Sequence, residues 1–161
     1  GSCSGSPTRR TKRRYRECRK NEAITMSKAI IHPTPRTFIR PLTYAPKIPG
    51  VLEGTIRQTI RVGQRLAAGD RVLFHGWEGK PYRSKWSFRT PYYVLIAVLP
   101  IRIRPDGILF ESSGEVRPWA DLDEIAVLDG IAPPTGEGLR EVLLGMHAVP
   151  ESGVPGQILR W

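Results

Sequence analysis

The fold is decided by residues 53–61, which read EGTIRQTIR, followed by residues 69–76, which read GDRVLFHG. Gly54 and Gly69 can adopt backbone angles that other residues resist, so each marks a turn ahead of a strand. From Gln58 onward, polar and apolar residues alternate as in a half-buried strand. The two segments therefore predict two strands, each entered through a tight turn.

The first of these strands carries the residues that suggest chemistry. Side chains two positions apart lie on one face of a strand, so Arg57, Thr59 and Arg61 are expected to share a face. A hydroxyl between two guanidiniums can bind phosphate or carbonyl oxygens. Equally, Thr59 can be an ordinary strand residue with both arginines solvated or paired elsewhere.

Further strands and a few helices are predicted outward from this segment. Their hydrophobic periodicity and turn residues indicate strands at 37–40, 71–76, 92–103, 108–111 and 157–161. Pro105-Asp106-Gly107 is a hairpin turn, and helical spacing is predicted at 47–52, 119–128 and 137–147. Strands dominate, so the fold class is mixed α+β, with two to three helices inserted into a small closed or nearly closed sheet.

Composition favours a soluble chain with an anionic partner. The 161 residues suit one domain with a tail, and 40% hydrophobic content closes a core without suggesting a membrane protein. The longest apolar run, at 92–99, is far shorter than the roughly 20 residues of a membrane-spanning helix. The net charge of +10 attracts polyanions, so nucleic acid is the first partner to consider.

Much of that charge lies in the N-terminal segment. Residues 1–25 hold eight Lys or Arg and two Glu, a net of +6, which leaves +4 for the rest. We interpret residues 1–28 as a basic flexible tail and 29–161 as the domain. The tail is either an arm that docks on phosphates or solvated disorder. No signal-peptide pattern follows its basic residues, which favours a cytoplasmic location.

No cofactor or metal is expected. Cys3 and Cys18 both lie in the tail, away from any histidine. His32, His75 and His147 have no short spacing with one another or with cysteine, which argues against a metal site.

The order and spacing of four short segments resemble those of an ASCH domain, a PUA-like β-barrel, in its small stand-alone bacterial and phage form. The segments are 54–61, 69–76, 123–131 and 156–161. The resemblance covers roughly residues 36–161. It implies a small barrel whose mouth forms a cleft that handles RNA or modified nucleosides.

In the branch of this family that removes acetyl groups from acetylcytidine, the resemblance implies a site built from a lysine, a threonine three residues later and a distant acid. Thr59 falls on the threonine and Asp129 on the acid, where relatives carry glutamate. Ile56 falls on the lysine and can neither donate a proton nor hold charge against an oxyanion. The missing charge can come from Arg57, Arg40 or Lys47, and the sequence does not choose among them. Asp129 can also simply end a helix before Gly130.

A second candidate surface follows Gly76. Residues 77–89 interleave cations with aromatics in a segment whose glycines and proline predict a long loop. Aromatic faces can stack on bases while Lys and Arg neutralise the backbone, as in single-stranded nucleic-acid binding. The residues assigned to this surface are Lys80, Tyr82, Arg83, Lys85, Trp86 and Arg89. Alternatively, the aromatics of this segment turn inward, although Tyr82 and Trp86 are the two expected to be exposed.

The sequence therefore predicts an RNA-binding or nucleotide-binding cleft lined by Arg57, Thr59, Arg61 and Asp129. The Lys80–Arg89 loop flanks this cleft, and Arg40 is a further candidate ligand-binding residue. Because Ile56 replaces the lysine, binding without catalysis is favoured. An amidohydrolase acting on an acylated nucleoside and a ribonuclease are the alternatives.

Overall fold

The computed structural model describes residues 34–161, which adopt a mixed α+β fold. The strands, in chain order, are β1 (Thr37–Pro41), β2 (Gln58–Val62), β3 (Arg71–Trp77), β4 (Trp86–Arg89), β5 (Tyr93–Val94), β6 (Ala97–Arg104), β7 (Gly107–Phe110), β8 (Glu115–Pro118) and β9 (Val154–Arg160). The helices are α1 (Ile48–Glu53), α2 (Asp123–Leu128) and α3 (Gly136–Met146), with 3-10 turns at Ala45–Lys47 and Trp119–Asp121. The predicted α+β class is confirmed. The interpretation of residues 1–28 as a tail falls outside the described residues.

The nine strands belong to two sheets. In the first, β1 runs parallel to β3, and β4 and β5 pair with β3 in antiparallel fashion. In the second, the antiparallel order is β2-β9-β6-β7-β8. Among residues 34–161 the strands form no closed barrel, so the closed sheet expected from the sequence is not observed.

The predicted strand at 92–103 is divided between the two sheets at Leu95. The Leu95 backbone exchanges hydrogen bonds with the turn before β3, donating to Asp70 O at 2.9 Å and accepting from Gly69 N at 2.8 Å. The next residue, Ile96, donates instead to Arg160 O of the second sheet at 2.8 Å. Because Leu95 is also buried, the chain is fixed at this crossing. Alternating hydrophobicity cannot reveal such a change of partner.

Two hydrophobic clusters hold the elements in place. One packs β6, β7 and β9 against the helices, with Ile101, Ile158, Leu122 and Leu139 fully buried. The other contains β3 and β9 residues, including Phe74 and Leu159, and so fills the space between the two sheets. Each fully buried aliphatic or aromatic side chain contributes about 1.5–3 kcal/mol. Together the clusters fix the region where β2, α1 and α2 meet, which holds the polar side chains of the candidate site.

No helix within residues 34–161 combines the length and the hydropathy that crossing a membrane requires.

Candidate functional site

Lys47 sits at the junction between a 3-10 turn and α1. The turn is closed by the Lys47 backbone N–H, which donates to Tyr44 O at 3.2 Å. Prolines near the starts of the turn and of α1 suit positions where no backbone donor is needed. Gly54 ends α1 with φ of 75°, a left-handed conformation that glycine adopts without steric cost. This short helical segment positions the Lys47 side chain against β2.

Thr59 is the second residue of β2 and lies opposite Leu159 of β9. Its side chain is 2% exposed. Polar groups this deeply buried require a hydrogen-bond partner, because desolvating one without compensation costs about 1–3 kcal/mol. That partner is the amine of Lys47, at 3.1 Å from Thr59 Oγ1.

Asp129 is the residue at which α2 ends. Its backbone N–H donates to Ile125 O at 2.9 Å, and Gly130 follows with φ of 68°. The backbone of Asp129 and Gly130 therefore ends the helix, as an Asp-Gly pair commonly does. The side chain has a second role, since it points to Lys47 and is 3% exposed.

Lys47, Thr59 and Asp129 together form what we call the lysine trio. Lys47 Nζ lies 3.1 Å from Thr59 Oγ1 and 2.5 Å from Asp129 Oδ2. The amine thus bridges a hydroxyl and a carboxylate that are 70 positions apart in the chain. Among residues 34–161, nothing hydrogen-bonds Asp129 Oδ1 with ordinary geometry, although the Ile60 amide lies close enough to favour the carboxylate. Asp129 Oδ1 can therefore accept a further hydrogen bond.

Burial dominates the electrostatics of the trio. It raises the pKa of Asp129 above its usual range, against the opposing effect of the Lys47 ammonium. It likewise lowers the pKa of Lys47, which Asp129 partly restores and the positive charge of Arg61 lowers further. The two pKa values therefore move toward each other. Proton transfer between this amine and this carboxylate costs less than it does between the same groups in water.

The trio borders a small cavity of about 50 Å³. Its walls come from the segment after β1, from β2 and from α3, and include Tyr44, Val142, Met146 and His147. A water molecule takes about 30 Å³ in the liquid. The cavity therefore has room for a small acyl group.

The predicted cleft arginines fall into two groups. Arg61 shares its strand face with Thr59 and, with Arg40, lines a separate cavity of about 330 Å³. Arg57 precedes β2, is exposed and donates from Nε to Gly54 O at 3.0 Å. It borders a different cavity beside Trp161. The structure brings Thr59, Asp129 and Arg61 into one neighbourhood and leaves Arg57 outside it, because β2 begins one residue later than Arg57.

Ile56, which the resemblance to ASCH domains places at the lysine position, is partly buried. A Cβ built on Gly130 would lie 3.2 Å from Ile56 Cδ1, so this side chain packs beside the backbone that follows Asp129. The amine comes instead from Lys47. The sequence offered Lys47 as one of three sources of charge, and only the fold distinguishes it from Arg40 and Arg57.

The second candidate surface lies on the first sheet. All of the residues assigned to it are exposed: Lys80, Tyr82, Arg83, Lys85, Trp86 and Arg89. Tyr82 is 85% exposed, whereas Trp86 is 37% exposed and stacks on His75 with ring centroids 4.4 Å apart. The predicted loop is shorter than expected because Trp86–Arg89 form β4, paired with β3.

Residues 34–161 contain no group of three or more histidine, cysteine or acidic side chains arranged to hold a metal ion. Cys3, Cys18 and His32 lie outside the described residues.

Comparison with known proteins gives no match for this chain, whether to a protein family, to a curated protein or to a solved structure. The geometry of the lysine trio is therefore the strongest indication of what the protein does.

Proposed function

We propose that this protein binds a modified nucleoside, free or within RNA, and hydrolyses an acyl or amide group on it at the lysine trio. The observation that carries the proposal is the Lys47 amine, which hydrogen-bonds both Thr59 Oγ1 and Asp129 Oδ2 in a buried pocket. The resemblance to ASCH domains supplies the substrate class. Those relatives also combine a lysine, a threonine and an acid, here assembled from a different lysine position.

The chemistry follows from the shifted pKa values of the trio. A water molecule attacks the carbonyl carbon and loses its proton to Asp129, whose raised pKa makes it a better base than an ordinary carboxylate. The Lys47 ammonium and the Thr59 hydroxyl stabilise the oxyanion that forms. The carbon–nitrogen bond then breaks as the departing amine takes a proton from the trio. The products are a carboxylic acid and the free amine.

The direct test is to incubate the full chain with N4-acetylcytidine and to measure released acetate and cytidine. Removing an oxyanion donor lowers kcat by a factor of about 10²–10³, so the kcat of Thr59→Val should be lower than that of wild type by this factor. The kcat of Asp129→Asn should be lower by a factor of about 10²–10⁴, the usual contribution of general acid–base catalysis. Thr55→Val is the matched control, because Thr55 is an exposed threonine of the same segment. Turnover that survives in both trio variants would refute the assignment.

Binding without catalysis is the second candidate, and it is supported by the aromatic and cationic surface on the first sheet. Tyr82 is highly exposed and has a φ of 63°, an uncommon conformation for a non-glycine residue, among the exposed cations Lys80, Arg83 and Lys85. Stacking of one base on an aromatic side chain contributes about 1–3 kcal/mol.

Fluorescence anisotropy with labelled single-stranded RNA tests this candidate. Tyr82→Ala should weaken binding by about tenfold, a figure within the stacking range. Tyr92→Ala is the control, because Tyr92 is an exposed tyrosine outside this surface. Equal losses in the two variants would show that the Lys80–Arg89 surface has no special role. RNA binding together with the absence of acetate release would favour this candidate over hydrolysis.

A further inference from the structure

A cleft lined by three arginines lies beside the lysine trio. Arg40 comes from β1, Arg61 from β2 and Arg65 from the connection that follows β2, and together with Val62, Gly63 and Leu66 they enclose about 330 Å³. No acidic side chain lines this cleft. Within residues 34–161, none of the three arginines takes part in an ion pair.

Arg61 is held in place by contacts that leave part of its guanidinium available. Nη2 donates to Pro41 O at 2.7 Å, and Cζ lies 5.5 Å from the centroid of the Phe74 ring. Nε is buried and has no hydrogen-bond partner among the described residues. Burial lowers the pKa of Arg61 to about 10, against the opposing effect of the Asp129 carboxylate and with a further lowering from the nearby charge of Arg40. The side chain is still cationic at neutral pH and is therefore fixed, charged and incompletely satisfied.

The cleft and the trio are neighbours along one strand. Thr59 and Arg61 are two residues apart in β2, so their side chains emerge on the same face, with Cα atoms about 7 Å apart. The charge of Arg61 also lowers the pKa values of both Lys47 and Asp129, which places all three within electrostatic range. The distance between the two places is therefore within the length of one mononucleotide.

We infer that the cleft formed by Arg40, Arg61 and Arg65 binds a phosphate group of the ligand, so the preferred ligand is a nucleotide unit rather than a free nucleoside. Guanidinium groups match phosphate oxygens in geometry and charge. The three guanidiniums repel one another, and the one carboxylate that acts on Arg61, that of Asp129, is paired with Lys47 and does not line the cleft. A bound phosphate relieves this repulsion. The inference rests on the proposed function only for the reaction at the trio, because phosphate binding itself requires no catalysis.

Isothermal titration calorimetry on the full chain tests the cleft with three probes: cytidine, cytidine 5′-monophosphate and the dinucleoside monophosphate CpC. We expect the monophosphate or CpC to bind at least tenfold more tightly than cytidine. Tighter binding of the monophosphate indicates a phosphate monoester as the ligand group, whereas tighter binding of CpC indicates a phosphodiester within RNA. Equal affinity of all three probes would overturn the inference.

Arg65→Ala is the most informative variant, because Arg65 is exposed and its loss should not disturb folding. It should weaken binding of the phosphate-bearing probe by about tenfold and leave binding of cytidine unchanged. Arg71→Ala is the matched control, since Arg71 is an exposed arginine outside the cleft and its removal changes the net charge equally. Equal losses in the two variants would mean that only overall charge matters, and the inference would fail.

The outcomes separate the inference from the proposed function. If N4-acetylcytidine is not hydrolysed but binding of the phosphate-bearing probe depends on Arg65, the hydrolase proposal fails and the phosphate site stands. Suppose instead that N4-acetylcytidine and its 5′-phosphate are hydrolysed with the same KM, and that Arg65→Ala changes the KM of neither substrate. The phosphate site then fails and the hydrolase proposal stands.

Discussion

Breaking the buried pair between Lys47 and Asp129 should cost far more stability than breaking an exposed one. Both side chains are 4% exposed, and their charged atoms are 2.5 Å apart. Removing one partner of such a pair leaves the other buried and uncompensated, which costs about 3–5 kcal/mol. We therefore expect Asp129→Asn and Lys47→Met each to lower the free energy of unfolding by that amount. The double variant should lose much less than the sum, because no unpaired charge is left behind.

The pH dependence of Asp129→Asn adds an independent signature. Without the carboxylate, burial and the charge of Arg61 both lower the pKa of Lys47 in the folded protein. A lysine with a lowered pKa binds fewer protons in the folded protein than in the unfolded chain, so the free energy of unfolding rises with pH between the two pKa values. The contribution of this lysine to stability is complete above its ordinary pKa and is lost as pH falls through the folded-state pKa. Relative to wild type, Asp129→Asn should therefore regain stability as pH rises toward the ordinary lysine pKa of about 10, by at most about 1.4 kcal/mol per pH unit.

Urea denaturation of the four proteins, followed by circular dichroism, measures these changes through the midpoint at constant slope. Glu115→Gln is the control, because it breaks the exposed pair with Arg117, in which Nε and Oε1 are 2.9 Å apart. Exposed pairs contribute about 0–1 kcal/mol. Additive losses in the double variant, or a loss no larger than that of Glu115→Gln, would refute the view that these two charges depend on each other.

Two further predictions concern stability. Asp70→Asn should cost about 1–3 kcal/mol at pH 7, because the buried carboxylate accepts hydrogen bonds from Arg36 and from the Ala67 amide. Burial opposes ionisation of Asp70, but those hydrogen bonds prevail and lower its pKa, so its contribution is present above about pH 4 and is lost as pH falls. The urea midpoints of wild type and variant should therefore converge as pH falls below about 4, and a constant difference would contradict this. Gly136→Ala should cost about 3 kcal/mol in the same assay, because a Cβ there would lie 1.6 Å from Trp119 O. At Gly145, in the same helix, an added Cβ would have no atom within 4 Å, so Gly145→Ala should raise the free energy of unfolding by about 1 kcal/mol. Similar effects of the two substitutions would contradict this prediction.

Local signals in the sequence predicted several elements well. Gly54 and Gly69 mark turns that the structure contains, and Pro105-Asp106 forms the two-residue loop between β6 and β7. These features depend on residues close together in the chain, where backbone preference alone is decisive. The short strands β4 and β8 were not predicted. Four residues offer too little alternation to be distinguished from a loop.

Contacts between distant residues account for what the sequence did not reveal. Lys47 could not be chosen over Arg40 or Arg57, because its role depends on a turn that directs it toward a strand 12 positions away and an acid 82 positions away. Likewise, the division of residues 92–103 depends on hydrogen bonds from Leu95 to the turn before β3. Periodicity reports which face of an element is buried and carries no information about its partner.

The pairing of β2 with β9 has a kinetic consequence. Thr59 lies opposite Leu159, so β2 is anchored by a strand 100 positions further along, and β9 is its only strand neighbour among the described residues. Contacts of such high sequence separation form slowly, since a long loop must close before any pairing energy is gained. We therefore expect the hydroxyl of the trio to reach its place late in folding. A partly folded chain that already contains the β6–β7 hairpin would still lack the site.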